Sequence, residues 1–347
     1  VDNRDDPYAN LSSFQPASQV DVARLARVSQ AAVSRTFTPG ASVSDETRAK
    51  VLDAARKLNY RPNAIARSLI RRSTRMIGVV VMRLTKPFYA RIIREFTRGL
   101  QAEGYWTLLF DIAEEGEVEK TLPMALQYQV DGVVITSATL SSKLAEEFAR
   151  TGTPVVLFNR YASSGQTHVV RCDNYAGGRM VADAFLDAGH QRIAYVAGEE
   201  GSSTNQDRER GFVEGLQARG MKLWQRAAGD YSYEGGYAAA QQLLRSSERP
   251  DAIFCADDLS AIGTLDAARY EFGLRIPEDL SVIGFDDIPM AAWSSFSLTT
   301  VRQPFGDMVK ATIQVLTEAI AAPEAKPVTA VIPPKFIARS SARLSKE

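Results

Sequence analysis

Two cysteines and two histidines in a chain of 347 residues leave little material for disulfide or metal chemistry. Cys172 and Cys255 are far apart and form no CxxC pair, which excludes a disulfide framework and suits a reducing compartment. His168 and His190 are too few and too distant in sequence to suggest a metal site, and His190, in Ala-Gly-His-Gln-Arg before a strand, reads as a structural loop residue. There is no P-loop, GxGxxG, GxSxG or HExxH, so no cofactor is expected and catalysis has no candidate constellation. No apolar run approaches the roughly 18 residues that span a bilayer. The start, Val-Asp-Asn-Arg-Asp-Asp-Pro, is polar and acidic, without the regions of a signal peptide. A soluble cytoplasmic protein with no membrane role is the expectation.

Net charge is also absent: Lys plus Arg and Asp plus Glu both number 41. Counted by segment, the zero divides. Residues 17–75 carry twelve basic side chains against four acidic ones, a net of +8; residues 1–16 sum to −2 and residues 76–347 to −6. A small basic module is therefore joined to a large acidic one. The length implies at least two domains, and 45% hydrophobic with 24% charged residues is the composition of a globular protein.

Residues 1–16 show no periodicity and read as a disordered tail. From Asp21 short helical segments follow: Val22, Leu25 and Ala26 make one apolar face, Val28 and Ser29 a turn, and Gln30 to Phe37 a second helix. Ser44 is placed to cap a third helix with Val51, Ala55 and Leu58 inward, stopped by Pro62. After Arg75 the grammar changes. Met76 to Met82 is a continuous apolar run, as expected of a strand buried on both faces of a parallel sheet. Strand-like runs recur at Trp106–Phe110, Gly132–Ile135, Pro154–Phe158, Arg192–Ala197, Ala252–Cys255 and Leu280–Gly284, with helical segments between. This alternation predicts doubly wound parallel sheets. The pattern restarts after His168–Cys172, so the core reads as two α/β lobes with a cleft, Ser297 to Gln303 crossing back to the first.

Asp21 to Phe37 has helix-turn-helix spacing, in which the second helix offers its N-terminal residues to base edges in the major groove. Three small helices alone would favour a solvated cap; the +8 balance and the basic stretch directly after the bundle turn the reading to DNA. Residues 20 to about 340 then resemble the LacI/GalR family of transcriptional regulators. The resemblance rests on an ordered set: Asp21-Val-Ala, Val28-Ser29, Val33-Ser34-Arg35, Leu58-Asn-Tyr-Arg-Pro-Asn63, Ala66-Arg-Ser-Leu69, Gly189-His-Gln-Arg-Ile193, Arg208-Glu-Arg-Gly-Phe212, Asp257-Asp258, Gly284-Phe-Asp-Asp287 and Leu298 to Gln303.

The resemblance implies a small all-α helix-turn-helix domain plus an α/β core of two doubly wound parallel-sheet lobes, like a periplasmic binding protein. The expected boundaries are a tail at 1–16, the DNA-binding domain at 17–62, a hinge helix and linker at 63–75, the effector-binding and dimerisation core at 76–340 and a tail at 341–347. By position, Gln30, Ala31 and Arg35 face bases, and Ser29, Ser34, Arg27, Arg71 and Arg72 touch phosphate. Arg suits guanine and Gln adenine, each bidentate contact giving roughly 1–3 kcal/mol of discrimination. Arg27 stands where the family usually has a turn glycine; either the turn is remodelled or Arg27 gives up stability. Leu69, beside Ala66, is the implied minor-groove wedge, although spacing alone fits a linker residue touching the core equally well.

Implied effector contacts are Phe88, Tyr89, Asn159, Arg160, Arg208, Asp257 and Asp286 beyond the strand ends, with Trp293 on a loop near them. Each has a plainer reading: Phe88 could be core and Arg208 a surface ion pair, while Asp287 reads as a structural partner. The function implied is a repressor whose affinity for a near-palindromic double-stranded operator is set by a sugar-like effector. It would act as a homodimer, associated with the nucleoid when bound, with pairing of dimers into tetramers left open. A solute-binding protein would have no use for residues 17–75, and an α/β enzyme would need a motif that is absent.

Overall fold

The computed structural model describes residues 17–38, 40–62, 73–82, 84, 87–112, 127–136, 151–161 and 167–345. The expected N-terminal tail and the hinge residues Ala66, Leu69, Arg71 and Arg72 lie outside the described residues. The chain divides into two compact units between Thr74 and Arg75.

The first unit holds α1 (Gln19–Ala26), α2 (Gln30–Thr36) and α3 (Asp45–Lys57). α1 begins two residues before Asp21, because that side chain closes a capping box: Asp21 N–H donates to Ser18 Oγ at 3.3 Å, and Ser18 N–H donates to Asp21 Oδ2 at 2.9 Å. Ser29 and Ser44 cap α2 and α3 through their hydroxyls alone, which accept from Ala32 N–H and Thr47 N–H. Pro62 does not end α3. The helix stops at Lys57, Asn59 turns left-handed, and Tyr60 N–H returns to the Ala55 carbonyl at 2.8 Å. Val22, Ala23, Ala26, Val33, Val51, Ala54 and Ala55 form the core, with Leu58 half-buried against it.

The turn at Arg27 is not remodelled. Arg27 adopts φ 56° and ψ 45°, and Val28 N–H reaches the Ala23 carbonyl at 3.0 Å. An L-residue with a Cβ pays about 1–2 kcal/mol for this conformation. Arg27→Gly is therefore expected to raise the unfolding free energy of the helical unit by about 1 kcal/mol. If Arg27 also touches phosphate, the same variant lowers the salt slope of DNA binding by about one charge. Chemical unfolding and a salt titration check the two parts separately.

The second unit has two sheets. The first contains β1 (Met76–Met82), β2 (Trp106–Ile112), β3 (Gly132–Ile135), β4 (Val155–Phe158), β5 (His168–Cys172) and β11 (Thr329–Ile332), in the order β11-β5-β4-β3-β1-β2, all parallel. The apolar run of β1 serves both faces: Ile77, Val79 and Val81 enter one hydrophobic cluster and Val80 the other. The second sheet contains β6 (Ile193–Ala197), β7 (Gln225–Ala228), β8 (Ala252–Cys255), β9 (Ser281–Asp286), β10 (Thr299–Arg302) and β12 (Lys335–Ile337), in the order β12-β10-β9-β8-β6-β7, parallel except for the edge strand β12.

Helices α4 (Pro87–Ala102) and α9 (Phe305–Ala321) pack on the first sheet; α5 (Asn174–Asp187), α6 (Ser203–Ala218), α7 (Tyr233–Leu244) and α8 (Asp258–Asp266) pack on the second. The chain crosses between lobes at Asp173, at Gln303–Pro304 and between Ile332 and Lys335. The expected return from Ser297 is thus shorter than the sequence suggested, since Thr299–Arg302 is a strand of the second sheet. Ser341 and Ala342, assigned to a tail, are buried in that lobe, where Ser341 Oγ donates to the Val282 carbonyl at 2.6 Å.

Candidate functional site

Two groups of residues have candidate roles, one in each unit. In the helical unit, Gln30, Ala31, Ser34 and Arg35 are all exposed, and their spacing places them on one face of α2. Arg27 and Ser29 are exposed just before it. The face is free of packing because Val33 and Thr36 take the inward positions. Arg35 Nε donates to the Ala31 carbonyl at 3.3 Å, which leaves both terminal nitrogens of its guanidinium outside that bond.

In the large unit the candidates gather where the strands end. β1 lies between β2 and β3, and β6 between β7 and β8, so each sheet reverses its strand order there. A crevice beyond the carboxyl ends at such a point is the usual ligand site of an open α/β sheet. Among the described residues ten non-glycine residues have positive φ, and five of them follow strand ends: Asn159 after β4, Asp230 and Tyr231 after β7, and Asp286 and Asp287 at the end of β9. Backbone strain of this kind concentrates at functional sites.

Arg208, on the second turn of α6, is the centre of the second-lobe group. It is 3% exposed, which rules out a surface ion pair. Nε donates to Asn174 Oδ1 at 2.9 Å, Nη1 to the Ala256 carbonyl at 2.5 Å and Nη2 to Asp286 Oδ1 at 3.1 Å, and the guanidinium lies 3.8 Å from the Phe285 ring centroid. Gln303 Nε2, from the second crossover, donates to the same Asp286 oxygen at 2.5 Å. Asp257 caps α8 by accepting from Ser260 N–H at 3.0 Å. Beside it Asp258 is fully buried, held by Ile288 N–H at 2.8 Å and the Thr300 hydroxyl at 2.6 Å. Tyr231 stacks against Gly198, where a Cβ would lie 2.1 Å from its ring, and its hydroxyl is 3.2 Å from Ser202 Oγ and 3.0 Å from Thr204 Oγ1.

The first-lobe group comprises Phe88, Tyr89, Asn159 and Arg160. Phe88 meets Tyr89 and Phe305 edge-on, both with centroids 5.1 Å apart, and is half-buried on the core. Burial pulls the Arg160 guanidinium down to about 10, offset in part by Tyr89. Asn159 Oδ1 and Gln303 Oε1 are buried acceptors without a hydrogen-bond partner among the described residues. Gln303 touches Asp286 and Phe305 touches Phe88, so the second crossover joins the two groups. Trp293 joins neither. It is 57% exposed and stacks on Phe296 with centroids 6.5 Å apart, in the turn before β10 starts.

Two other expectations resolve as structural. Asp287 is gripped by Arg302 Nε and Arg339 Nη2, each at 2.6 Å. His190 is buried against Phe185 and faces Asp251 at 3.4 Å. Asn174, Tyr231 and Asp258 are site neighbours as well; of these only Asp258 carries a signal in the sequence, as half of the Asp257-Asp258 pair. Among the described residues no group of three or more His, Cys, Asp or Glu side chains could hold a metal ion, and no helix is long and apolar enough to cross a membrane.

Burial, opposed by Arg208 and reinforced by Asp257, pushes the Asp286 carboxyl up to about 6. A raised carboxyl contributes stability that is complete below its unfolded value and is lost as pH rises through about 6. Asp286→Asn removes that loss. The stability of the variant relative to the parent is expected to improve by about 2–3 kcal/mol between pH 4 and pH 7.5. Urea unfolding across that range measures it, and a constant difference would contradict the assignment.

The arrangement defines a class of protein: a helix-turn-helix unit joined to a two-lobed α/β core with a buried polar cluster at a lobe crossover. Family models agree. Residues 20–63 match bacterial regulatory proteins of the lacI family, and residues 182–342 match a periplasmic binding protein-like domain. The HTH-type transcriptional repressor CytR of Escherichia coli K12 is 35% identical over 83% of this chain and 85% of its own length. Among solved structures, the lac repressor dimer bound to operator and an anti-inducer superposes with a TM-score of 0.86 at 26% identity, covering 94% of this chain and 99% of that one. The transcriptional regulator CelR in complex with cellobiose superposes at 0.73 with 30% identity over 94% of this chain and all of CelR. The chain belongs to the LacI family: it is a sequence-specific DNA-binding regulator with an effector-binding cleft, not an enzyme.

Proposed function

We propose that the protein is a repressor that binds a near-palindromic operator as a homodimer assembled through its large unit. A sugar or sugar derivative held between the lobes shifts their arrangement and with it the operator affinity. An effector acts in this way only through differential affinity for the two arrangements. The observation that carries the reading is the Arg208–Asp286–Gln303 group, which ties α6, the end of β9 and a lobe crossover into one buried polar cluster.

Asp286 and the buried oxygens of Asn159 and Gln303 accept from hydroxyls, Arg208 and Arg160 donate to them, and Phe88, Tyr89 and Tyr231 offer ring faces. Asp257 lies at the same strand ends. The cellobiose bound to CelR supports a sugar over an amino acid. On the DNA side, Gln30, Ala31 and Arg35 read bases and Arg27, Ser29 and Ser34 hold phosphates. Ala66 and Leu69 enter the minor groove, and Arg71 and Arg72 follow the backbone.

Thermal shift of the full chain with cellobiose, ribose, sugar acids, nucleosides and amino acids tests the effector class. A ligand at one hundred times its Kd adds about 2.7 kcal/mol of stability; stabilisation by amino acids alone would overturn the sugar reading. Duplexes selected from a random library by the full chain should be near-palindromic. Arg35→Ala is expected to relax selection at one position in each half-site, by about 1–3 kcal/mol, and an unchanged selected sequence would remove Arg35 from the reading face.

A further inference from the structure

Beside the cleft lies an ion cluster that binding does not explain. Asp207 precedes Arg208 on α6 and is 1% exposed. Its Oδ1 accepts from the Tyr161 hydroxyl at 3.1 Å and from Arg210 Nη2 at 2.7 Å, and its Oδ2 accepts from Arg171 Nη1 at 3.3 Å. Tyr161 follows β4 and Arg171 lies in β5, so both belong to the first lobe, whereas α6 packs in the second. The Arg171 guanidinium stands 5.2 Å from the Tyr161 ring centroid, and Tyr161 N–H donates to Ser203 Oγ, also on α6, at 3.4 Å. Arg210 does not cross between lobes: it lies on the same helix as Asp207, and its guanidinium rests 5.4 Å from the Tyr175 ring centroid of α5.

Most surface ion pairs contribute little because water serves both charges as well as they serve each other. Asp207 is different, since its carboxylate is out of water and, among the described residues, two of its three side-chain donors come from the opposite lobe. Moving the lobes apart by a few ångström strips a buried carboxylate of those donors, which is costly until water enters. Such a contact is made or broken rather than stretched. Its neighbour Arg208 turns the other way, to Asn174 and Asp286. One stretch of helix therefore carries both the inter-lobe contact and the centre of the cleft.

We infer that Asp207, gripped by Tyr161 and Arg171, is a latch that sets the arrangement of the two lobes and, through Arg208, couples it to occupancy of the cleft. Its consequence for operator binding rests on the function proposed above; the latch itself does not. Freeing the lobes makes the operator-competent arrangement a fraction of the population, and apparent affinity falls by that fraction.

The test uses the full chain with spin labels at Gln101→Cys on α4 and Gln242→Cys on α7, both exposed, while both native cysteines are buried. Labelled chain is diluted into unlabelled chain so that only distances within one chain are read. The parent and Arg210→Gln are expected to give one narrow distance distribution, and Asp207→Asn and Arg171→Gln a broadened or two-peaked one. Parent-like distributions in both latch variants would overturn the proposal. Should Asp207→Asn fail to fold, Tyr161→Phe removes one inter-lobe donor with little change in volume, and the same criterion applies. Affinity for a duplex selected by the parent is expected to fall about fivefold or more in Asp207→Asn and to stay within about twofold in Arg210→Gln. Unchanged or tighter binding by Asp207→Asn would overturn the coupling. If the parent selects no duplex at all, the regulator reading fails, while the distance measurement still decides the latch.

Discussion

Arg208→Met is expected to abolish stabilisation by any sugar that the parent binds and to cost the large unit about 3–5 kcal/mol of stability. The guanidinium is buried, Asn174, the Ala256 carbonyl and Asp286 each accept one of its five N–H donors, and the Phe285 ring lies against it. A thioether fills much of the volume and none of the hydrogen bonds, so among the described residues Asp286 keeps only Gln303 as a side-chain donor. Removing both partners should cost less than the two single losses combined, because a buried ion pair replaced as a unit leaves no uncompensated charge. Urea unfolding of Arg208→Met, Asp286→Leu and the double variant measures this. A loss below about 1 kcal/mol for Arg208→Met would show that the pair is not buried in solution as it is here.

Gly211→Ala is expected to destabilise by about 3 kcal/mol, at the upper end of the range for overpacking. α5 and α6 cross at two glycines. A Cβ on Gly211 would lie 2.1 Å from the Tyr175 carbonyl oxygen, and one on Gly178 would lie 2.2 Å from the Arg208 carbonyl oxygen. Both obstacles are backbone, so relief requires the helices to separate, and Arg208 moves with α6. The variant should therefore lose effector-dependent stabilisation as well as stability. Gly306→Ala is the control: among the described residues nothing beyond its chain neighbours and its own helix backbone lies within 4 Å of its Cβ, and its effect should stay within about 0.5 kcal/mol. Equal stability of the Gly211 and Gly306 variants would show that the close helix crossing does not persist in solution.

The elements most legible in the sequence were those whose burial is symmetrical. β1 read as a strand because an apolar run of seven residues needs cover on both faces, and the two hydrophobic clusters of the first lobe supply it. β11 and β12 were not legible. They are edge strands of four and three residues with partly exposed side chains, and only their neighbours β5 and β10 give them their conformation. The start of α1 is not legible from Asp21, an acidic residue that suits a helix opening but whose carboxylate closes the capping box from within the helix.

For the candidate site, the residue types and their places after strands were readable, since doubly wound sheets put ligands there. Which readings prevail depended on burial and distance. Arg208 could have been a solvated ion pair until Asn174 and Asp286 were seen around it, brought together from residues 34 and 78 positions away. Trp293 followed the right strand yet stacks on Phe296, apart from the cluster. Tyr231 gave no signal, because its place depends on two successive left-handed residues, Asp230 and Tyr231, and on the bare backbone of Gly198.

By itself the sequence determined the class of protein. The basic excess of residues 17–75, the apolar periodicities and the ordered motifs are local properties, independent of any long-range contact. The scarcity of cysteine and histidine likewise narrowed the chemistry before any contact was known. Tertiary structure alone decided that Asp207 and Arg208, neighbours on one helix, serve different lobes. A helix turns by about 100° per residue, so adjacent side chains face different surroundings, and only the packing of α6 between α5 and the first-lobe strand ends shows what those surroundings are.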